Sequence, residues 1–144
     1  MFEGMTRFIP ELENANNHFG EWIHNLDENG LPHSFSYVRY IKPVYDIHEA
    51  LFQFYREYPE FEMKDFLDII KENGISSNFQ SVCGADCADK DAQCMIALLY
   101  FAAYSEKWDT GVLLQFYESG CILRWLKRLR EIDEHNEFQG RKKT

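Results

Sequence analysis

The chain has 144 residues, 45% apolar and 27% charged, with 15 basic against 24 acidic side chains and a formal net charge of −9. That length suits one domain, and an aromatic content of 16% excludes a disordered tail or a fibre. The excess of acid argues against direct binding of nucleic acid, where side-chain cations must neutralise phosphates.

The acidity is uneven. Residues 1–91 hold 7 basic and 17 acidic side chains, a net of −10, whereas residues 92–144 hold 8 and 7, a net of +1. Met1 to Met5 lacks the basic and apolar regions of a signal peptide. The longest apolar run, Cys94 to Tyr104, falls short of the ~20 residues a membrane span needs. The expectation is a cytoplasmic protein without membrane contact.

In chain order, Thr6 to Glu13 reads as a first helix that starts close to Pro10, since proline is tolerated only in a first turn, and the Asn14–Asn17 cluster ends it. Phe19-Gly20-Glu21-Trp22-Ile23 is an aromatic segment that anchors on the core. Asn25 to Ser36, with Asn29-Gly30 and Leu31-Pro32, is a loop by composition, and Phe35, Tyr37 and Val38 suit a brief extended piece. From Pro43 to Tyr58 the period is helical, with Val44, Ile47, Leu51, Phe54, Tyr55 and Tyr58 on one face and Pro59 as the stop. A second helix follows directly, with Met63, Phe66, Leu67 and Ile70 as its stripe and Gly74 as its cap.

Ile75 to Lys90 has no period and reads as a loop. Asp89 or Asp91 caps the next helix, about Asp91 to Lys107, which is apolar on nearly every side and so belongs at the centre. Asp109 or Thr110 caps a helix that carries Val112, Leu113, Phe116 and Tyr117 and stops at Ser119-Gly120. The last helix runs from about Cys121 to Asp133, with Ile122, Trp125, Leu126, Leu129 and Ile132 inward and Arg124, Lys127, Arg128 and Arg130 outward. The predicted fold is all-α: a single domain over residues 1–133, about five helices around the central apolar one, and a flexible tail over residues 134–144.

Asp91-Ala92-Gln93-Cys94 before an apolar helix, Glu106-Lys107-Trp108-Asp109-Thr110-Gly111, then Phe116, Gly120 and Ile122 to Leu129, together with Phe19 to Ile23, resemble a family of small bacterial and phage proteins known only as a domain of unknown function. The resemblance covers about Phe8 to Asp133. It implies a helical domain of bacterial or phage origin and carries over no activity, cofactor or catalytic residue.

Candidate chemistry is sparse. Cys83-Gly84-Ala85-Asp86-Cys87, with Cys94 beyond, offers one Cys-x3-Cys pair without the second pair that structural zinc wants. Asp86, Asp89 and Asp91 do not follow a calcium-loop spacing. His18, His24, His33, His48 and His135 are scattered and form no metal-binding helix pair. Cys94 and Cys121 lie in apolar helical surroundings, so the four cysteines are expected free and reduced. No metal, no cofactor and no catalytic residue is assigned.

The acidic series Glu57, Glu60, Glu62 and Asp65, continued by Asp68, straddles a helix–helix corner and is the candidate partner-binding patch. The basic residues of the last helix read as a solvated face paired with neighbours such as Glu131. The expected function is a non-catalytic macromolecule-binding protein. One form of it is an acidic regulator or inhibitor that binds the basic, nucleic-acid-binding surface of another protein. Homo-oligomerisation is left open. The alternative is a small enzyme with a site in the 75–91 segment near Asp86, Cys87 and Asp91.

Overall fold

The computed structural model describes residues 1–24, 26, 28–30 and 36–142, with side chains to residue 136. His33, Phe35 and the Leu31-Pro32 part of the expected loop lie outside the described residues. The rest is mostly helical, in broad agreement with the all-α expectation, and a small two-stranded sheet is added to it.

The first helix is two short ones, α1 (Glu3–Thr6) and α2 (Ile9–Asn14), with Pro10 in the first turn of α2 where its missing N–H costs nothing. Phe2, Met5, Ile9 and Leu12 are buried. After α2 the backbone turns through Asn16 and Asn17 at φ 51° and 66°, a left-handed geometry that asparagine tolerates. Strand β1 (Gly20–Ile23) then pairs antiparallel with β2 (Tyr37–Tyr40), Gly20 opposite Tyr40 and Trp22 opposite Val38. Gly20 is required there, because a Cβ would approach Val38 Cγ1 to 2.9 Å and the Arg39 carbonyl to 3.1 Å.

Helix α3 (Lys42–Glu57) buries Val44, Ile47, Leu51 and Phe54. Two 3-10 turns, Pro59–Phe61 and Met63–Asp65, joined through left-handed Glu62, lead to α4 (Phe66–Glu72). The buried stripe of α4 is Phe66, Ile69 and Ile70, and Leu67, expected inward, is 47% exposed. The helix closes with the Gly74 N–H on the Lys71 carbonyl and the Ile75 N–H on the Ile70 carbonyl, with Gly74 at φ 76°. That is the double bond pattern of a glycine-terminated helix, and Ile75 is buried beneath it.

The segment expected to be a loop contains α5 (Phe79–Gly84), capped by the Asn78 side chain on the Ser81 N–H at 2.8 Å. Asp91 Oδ1 accepts the Cys94 N–H at 2.9 Å and starts α6 (Ala92–Ser105). Residues Cys94 to Leu98 are all 0% exposed. Helix α6 contacts α3, α4, α7 (Val112–Glu118) and α8 (Cys121–Lys142). Helix α8 buries Cys121, Ile122, Trp125, Leu126 and Leu129, and its backbone runs past the expected end at Asp133 because no helix breaker stands there. Near its middle α8 is tied to the chain start, where the Met1 amino group and the Phe2 N–H reach the Asp133 carboxylate at 3.1 and 2.9 Å.

Neither Asp109 nor Thr110 caps α7 by its side chain; Gly111 holds that position at φ 94°. The Glu106 carboxylate does the work from outside, accepting the Gly111 N–H at 2.7 Å, the Leu113 N–H at 3.2 Å and the Tyr40 hydroxyl at 2.7 Å. It satisfies two free amides at the positive end of α7 and joins them to β2. Burial first, and the bond to Glu106 second, raise the Tyr40 phenol well above its ordinary range, so it stays a donor.

Glu106→Ala strands the Tyr40 hydroxyl and two amides, and is expected to cost about 1–3 kcal/mol per group left unsatisfied. A double-mutant cycle with Tyr40→Phe in urea unfolding should show coupling between the two, and additive losses would refute the link. Gly111 offers a second check, since an added Cβ would lie 2.2 Å from the Trp22 ring. Gly111→Ala is expected to lower stability by about 1–2 kcal/mol through the left-handed backbone alone, whereas Gly84→Ala, in open space, should be neutral in thermal melting.

Candidate functional site

An aromatic concavity lies where α4, α5, α6 and α7 fail to close over one another. It has a volume of about 440 Å³. Phe66 and Leu67 come from α4, Phe79 from α5, Phe101, Tyr104 and Ser105 from α6, and Val112 and Phe116 from α7; Ser77, Trp108 and Asp109 complete the rim. The rings touch in series: Phe79 and Phe116 at 4.7 Å, Phe101 edge-on to Phe116 at 6.2 Å, Phe66 and Tyr104 at 5.5 Å, Tyr104 and Trp108 at 6.4 Å. The size is that of a small-ligand or side-chain pocket.

Its rim is unusually apolar for free surface. Trp108 is 72% exposed, with Leu67 at 47% and Tyr104 at 41%. The Lys107 ammonium sits 5.6 Å from the Trp108 ring, and Asp109 is the acid among the lining residues. The Ser105 hydroxyl donates to the Phe101 carbonyl at 2.7 Å.

A second cavity, also about 440 Å³, lies on the other side of Tyr104 and is lined by His48, Phe52, Tyr100, Ala103, Glu106 and Lys107. His48 is half-buried, 4.8 Å from the Phe52 ring, and burial lowers its pKa below 6.5. Tyr104 lines both cavities, with Tyr100 in the second and Trp108 at the rim of the first.

The expected partner patch is placed as follows. Glu57 ends α3 and accepts from Gln53 at 2.9 Å; Glu60 and Glu62 occupy the turns, and Asp65 precedes Phe66. All four are exposed, as is Asp68, and none lines the aromatic pocket, which Asp65 reaches only through its neighbour Phe66.

The outward basic face of α8 is partly engaged. Arg128 donates to the Lys90 carbonyl through Nε and Nη2 at 3.1 and 2.9 Å, Arg124 donates to the Cys83 carbonyl, and Arg128 pairs with Glu131 at 3.5 Å. These two arginines clamp the 83–90 segment onto α8. The groups offered for an enzyme site there are spoken for: Asp86 accepts the Ala88 N–H at 3.0 Å, Asp91 caps α6, and Cys87 is buried, which pushes its thiol up.

Cys83, Cys87 and Cys94 do not converge. Cys94 is fully buried, its thiol pushed up to about 11 by desolvation, and Cys83 turns instead to Cys121. Among the described residues no group of three or more His, Cys, Asp or Glu could hold a metal ion, and no helix is long and apolar enough to cross a membrane. His24 meets the Ser36 hydroxyl at 2.7 Å and stacks on Trp22. Comparison with family models, curated proteins and solved structures gives no match.

The half-buried His48 generates a pH prediction. A histidine whose folded pKa lies below its unfolded value favours the folded state when neutral, so its contribution is complete above about 6.5 and is lost as the pH falls from there through the lower folded value. Melting temperature should therefore fall between about pH 7 and pH 5. His48→Gln, which cannot charge, should flatten that fall, and an unchanged difference between the two proteins across this range would refute the assignment.

Proposed function

We propose that this is a non-catalytic binding protein whose aromatic pocket receives an apolar side chain of a partner protein with a basic surface. The observation that carries the reading is the rim of Trp108, Tyr104 and Leu67, exposed around a cavity walled by Phe66, Phe79, Phe101 and Phe116. Large apolar residues gathered around a pocket mark interaction sites, and buried anchors in such pockets dominate binding energy.

The choice of a basic partner rests on the net of −10 over residues 1–91 and on the exposed Glu57, Glu60, Glu62 and Asp65 at the α3–α4 corner. Like-signed charge raises encounter rates with an opposite surface and disfavours wrong partners. In its narrower form the protein is a cytoplasmic regulator or inhibitor that covers a nucleic-acid-binding groove of its target. The helical bundle around α6 and the kinship with uncharacterised bacterial and phage domains belong to the same proposal. A small enzyme working from the 75–91 segment has less support, because Asp86 and Asp91 are committed to backbone amides.

The test is a panel of peptides rich in lysine and arginine, each with a single Trp, Phe or Leu, titrated against the full chain by fluorescence. Binding should require the apolar residue. Trp108→Ala and Leu67→Ala should weaken it about tenfold or more. Charge reversal at Glu57, Glu60, Glu62 and Asp65 should weaken it about threefold to tenfold at low salt and little at high salt. Affinity untouched by the pocket variants would discard the site, and affinity untouched by charge reversal would discard the basic partner.

A further inference from the structure

Two cysteines 38 residues apart meet behind the aromatic pocket, where the Cys121 thiol donates to the Phe116 carbonyl at 3.3 Å. Cys83, near the end of α5, and Cys121, the first residue of α8, bring their sulfurs to 2.9 Å. The Ser119 hydroxyl touches both, at 3.4 and 3.1 Å, and the Arg124 side chain reaches the Cys83 carbonyl. We propose that Cys83 and Cys121 are an oxidisable dithiol, which a peroxide converts to a disulfide that pins α5 to the start of α8.

The geometry supplies most of the argument. Thiols so close are already nearer than ordinary packing contact and need only a small approach to reach the ~2.05 Å of a bond. Cys83 is the half-exposed member, open to a small oxidant, whereas Cys121 is fully buried. Burial, and then the contact with Cys83, push the Cys121 thiol up to about 12, so Cys121 remains a protonated partner that does not attack first.

The chemistry balances with hydrogen peroxide as oxidant. The Cys83 sulfur attacks one peroxide oxygen, the O–O bond breaks, and the departing hydroxide takes the thiol proton as water, leaving a sulfenic acid. The Cys121 sulfur then attacks the Cys83 sulfur. The S–O bond breaks and the hydroxide leaves with the Cys121 proton as a second water. Two thiols and one peroxide give one disulfide and two waters.

The consequence falls on α5, which needs it. Val82 is its one buried residue in a helix of six, and its other ties include the Asn78 cap, the Phe79–Phe116 ring contact, the Arg124 bond and the contacts of Cys83 with Ser119 and Cys121. A covalent link at Cys83 therefore also fixes Phe79, one helical turn earlier on the same helix. None of this depends on what occupies the aromatic pocket.

The experiment treats the reduced full chain with graded hydrogen peroxide, blocks residual thiols in denaturant and maps the tryptic peptides. The expected result is a mass lower by about 2 Da, the two hydrogens lost on closure, loss of two of the four thiols, and one cross-linked pair joining peptides 72–90 and 108–124. Cys87 shares the first peptide, so Cys87→Ala should keep the cross-link, while Cys83→Ala should abolish it. Cys83 is half-exposed, so that variant should fold, and circular dichroism checks it. Amide exchange over residues 79–84 should slow on oxidation and recover with a thiol reductant. Four thiols surviving the treatment, a Cys83 sulfinic acid without cross-link, or a cross-link that persists in Cys83→Ala would overturn the pair. Unchanged exchange in α5 would overturn the pinning.

Discussion

An α-helix that is apolar on every face can persist in water only if every face is covered. Helix α6 sets that condition, since Cys94, Met95, Ile96, Ala97 and Leu98 fill consecutive positions and so point in all directions around the axis. Each large side chain kept from water is worth about 1.5–3 kcal/mol, so leaving even one face bare would rival the net stability of a domain. The other elements are arranged to meet that demand. Helices α4 and α8 lie along α6, α7 folds back on it, and α3 closes another side. Coverage runs out toward the C-terminal end, where α4 has seven residues and α5 six. The aromatic pocket stands at that gap.

The same end of α6 is where the polar bookkeeping concentrates. Glu106 leaves the helix and holds the Gly111 and Leu113 amides and the Tyr40 hydroxyl at once. The turn carrying Trp108 is bracketed on one side by this carboxylate and on the other by the Val112 N–H on the Asp109 carbonyl. Trp22 from the sheet packs against Gly111, where no side chain would fit. Trp108 is thus displayed by an ordered turn, and its 72% exposure is a property of the fold. An exposed tryptophan on a fixed turn loses little conformational freedom when a partner covers it.

What was legible in the sequence follows from range. Helices α3, α6 and α8 carry their period, stops and caps within a short window, so Val44 to Phe54, Asp91 and Trp125 to Leu129 could be placed directly. Strands of four residues alternate over too few positions to be distinguished from loop, and α5 has only Val82 fully buried. Leu67 was misplaced because Phe66, Ile69 and Ile70 already complete the buried stripe of a short helix, which leaves its neighbour outside. The pocket, the arginine clamps on residues 83 and 90, and the Cys83–Cys121 approach join segments tens of residues apart. Exposure of the acidic corner was legible from composition; its separation from the pocket was not.

That separation has a physical meaning for the proposed binding role. Glu57, Glu60, Glu62 and Asp65 face solvent, where charge acts over a screening length of about 8 Å and contributes mainly to encounter. At the pocket's rim Asp109 is the acid and the Lys107 ammonium lies 5.6 Å from the Trp108 ring, so little net charge marks the place where an anchor would seat. In that proposed role the two features would govern different steps. Acid at the corner would act on the rate at which a basic surface arrives, and the rings around Tyr104 on how long an inserted side chain stays. A partner with the right charge but no apolar anchor would arrive quickly and leave quickly. A partner with an anchor but the wrong charge would seldom arrive, and the joint requirement supplies selectivity that neither surface provides alone.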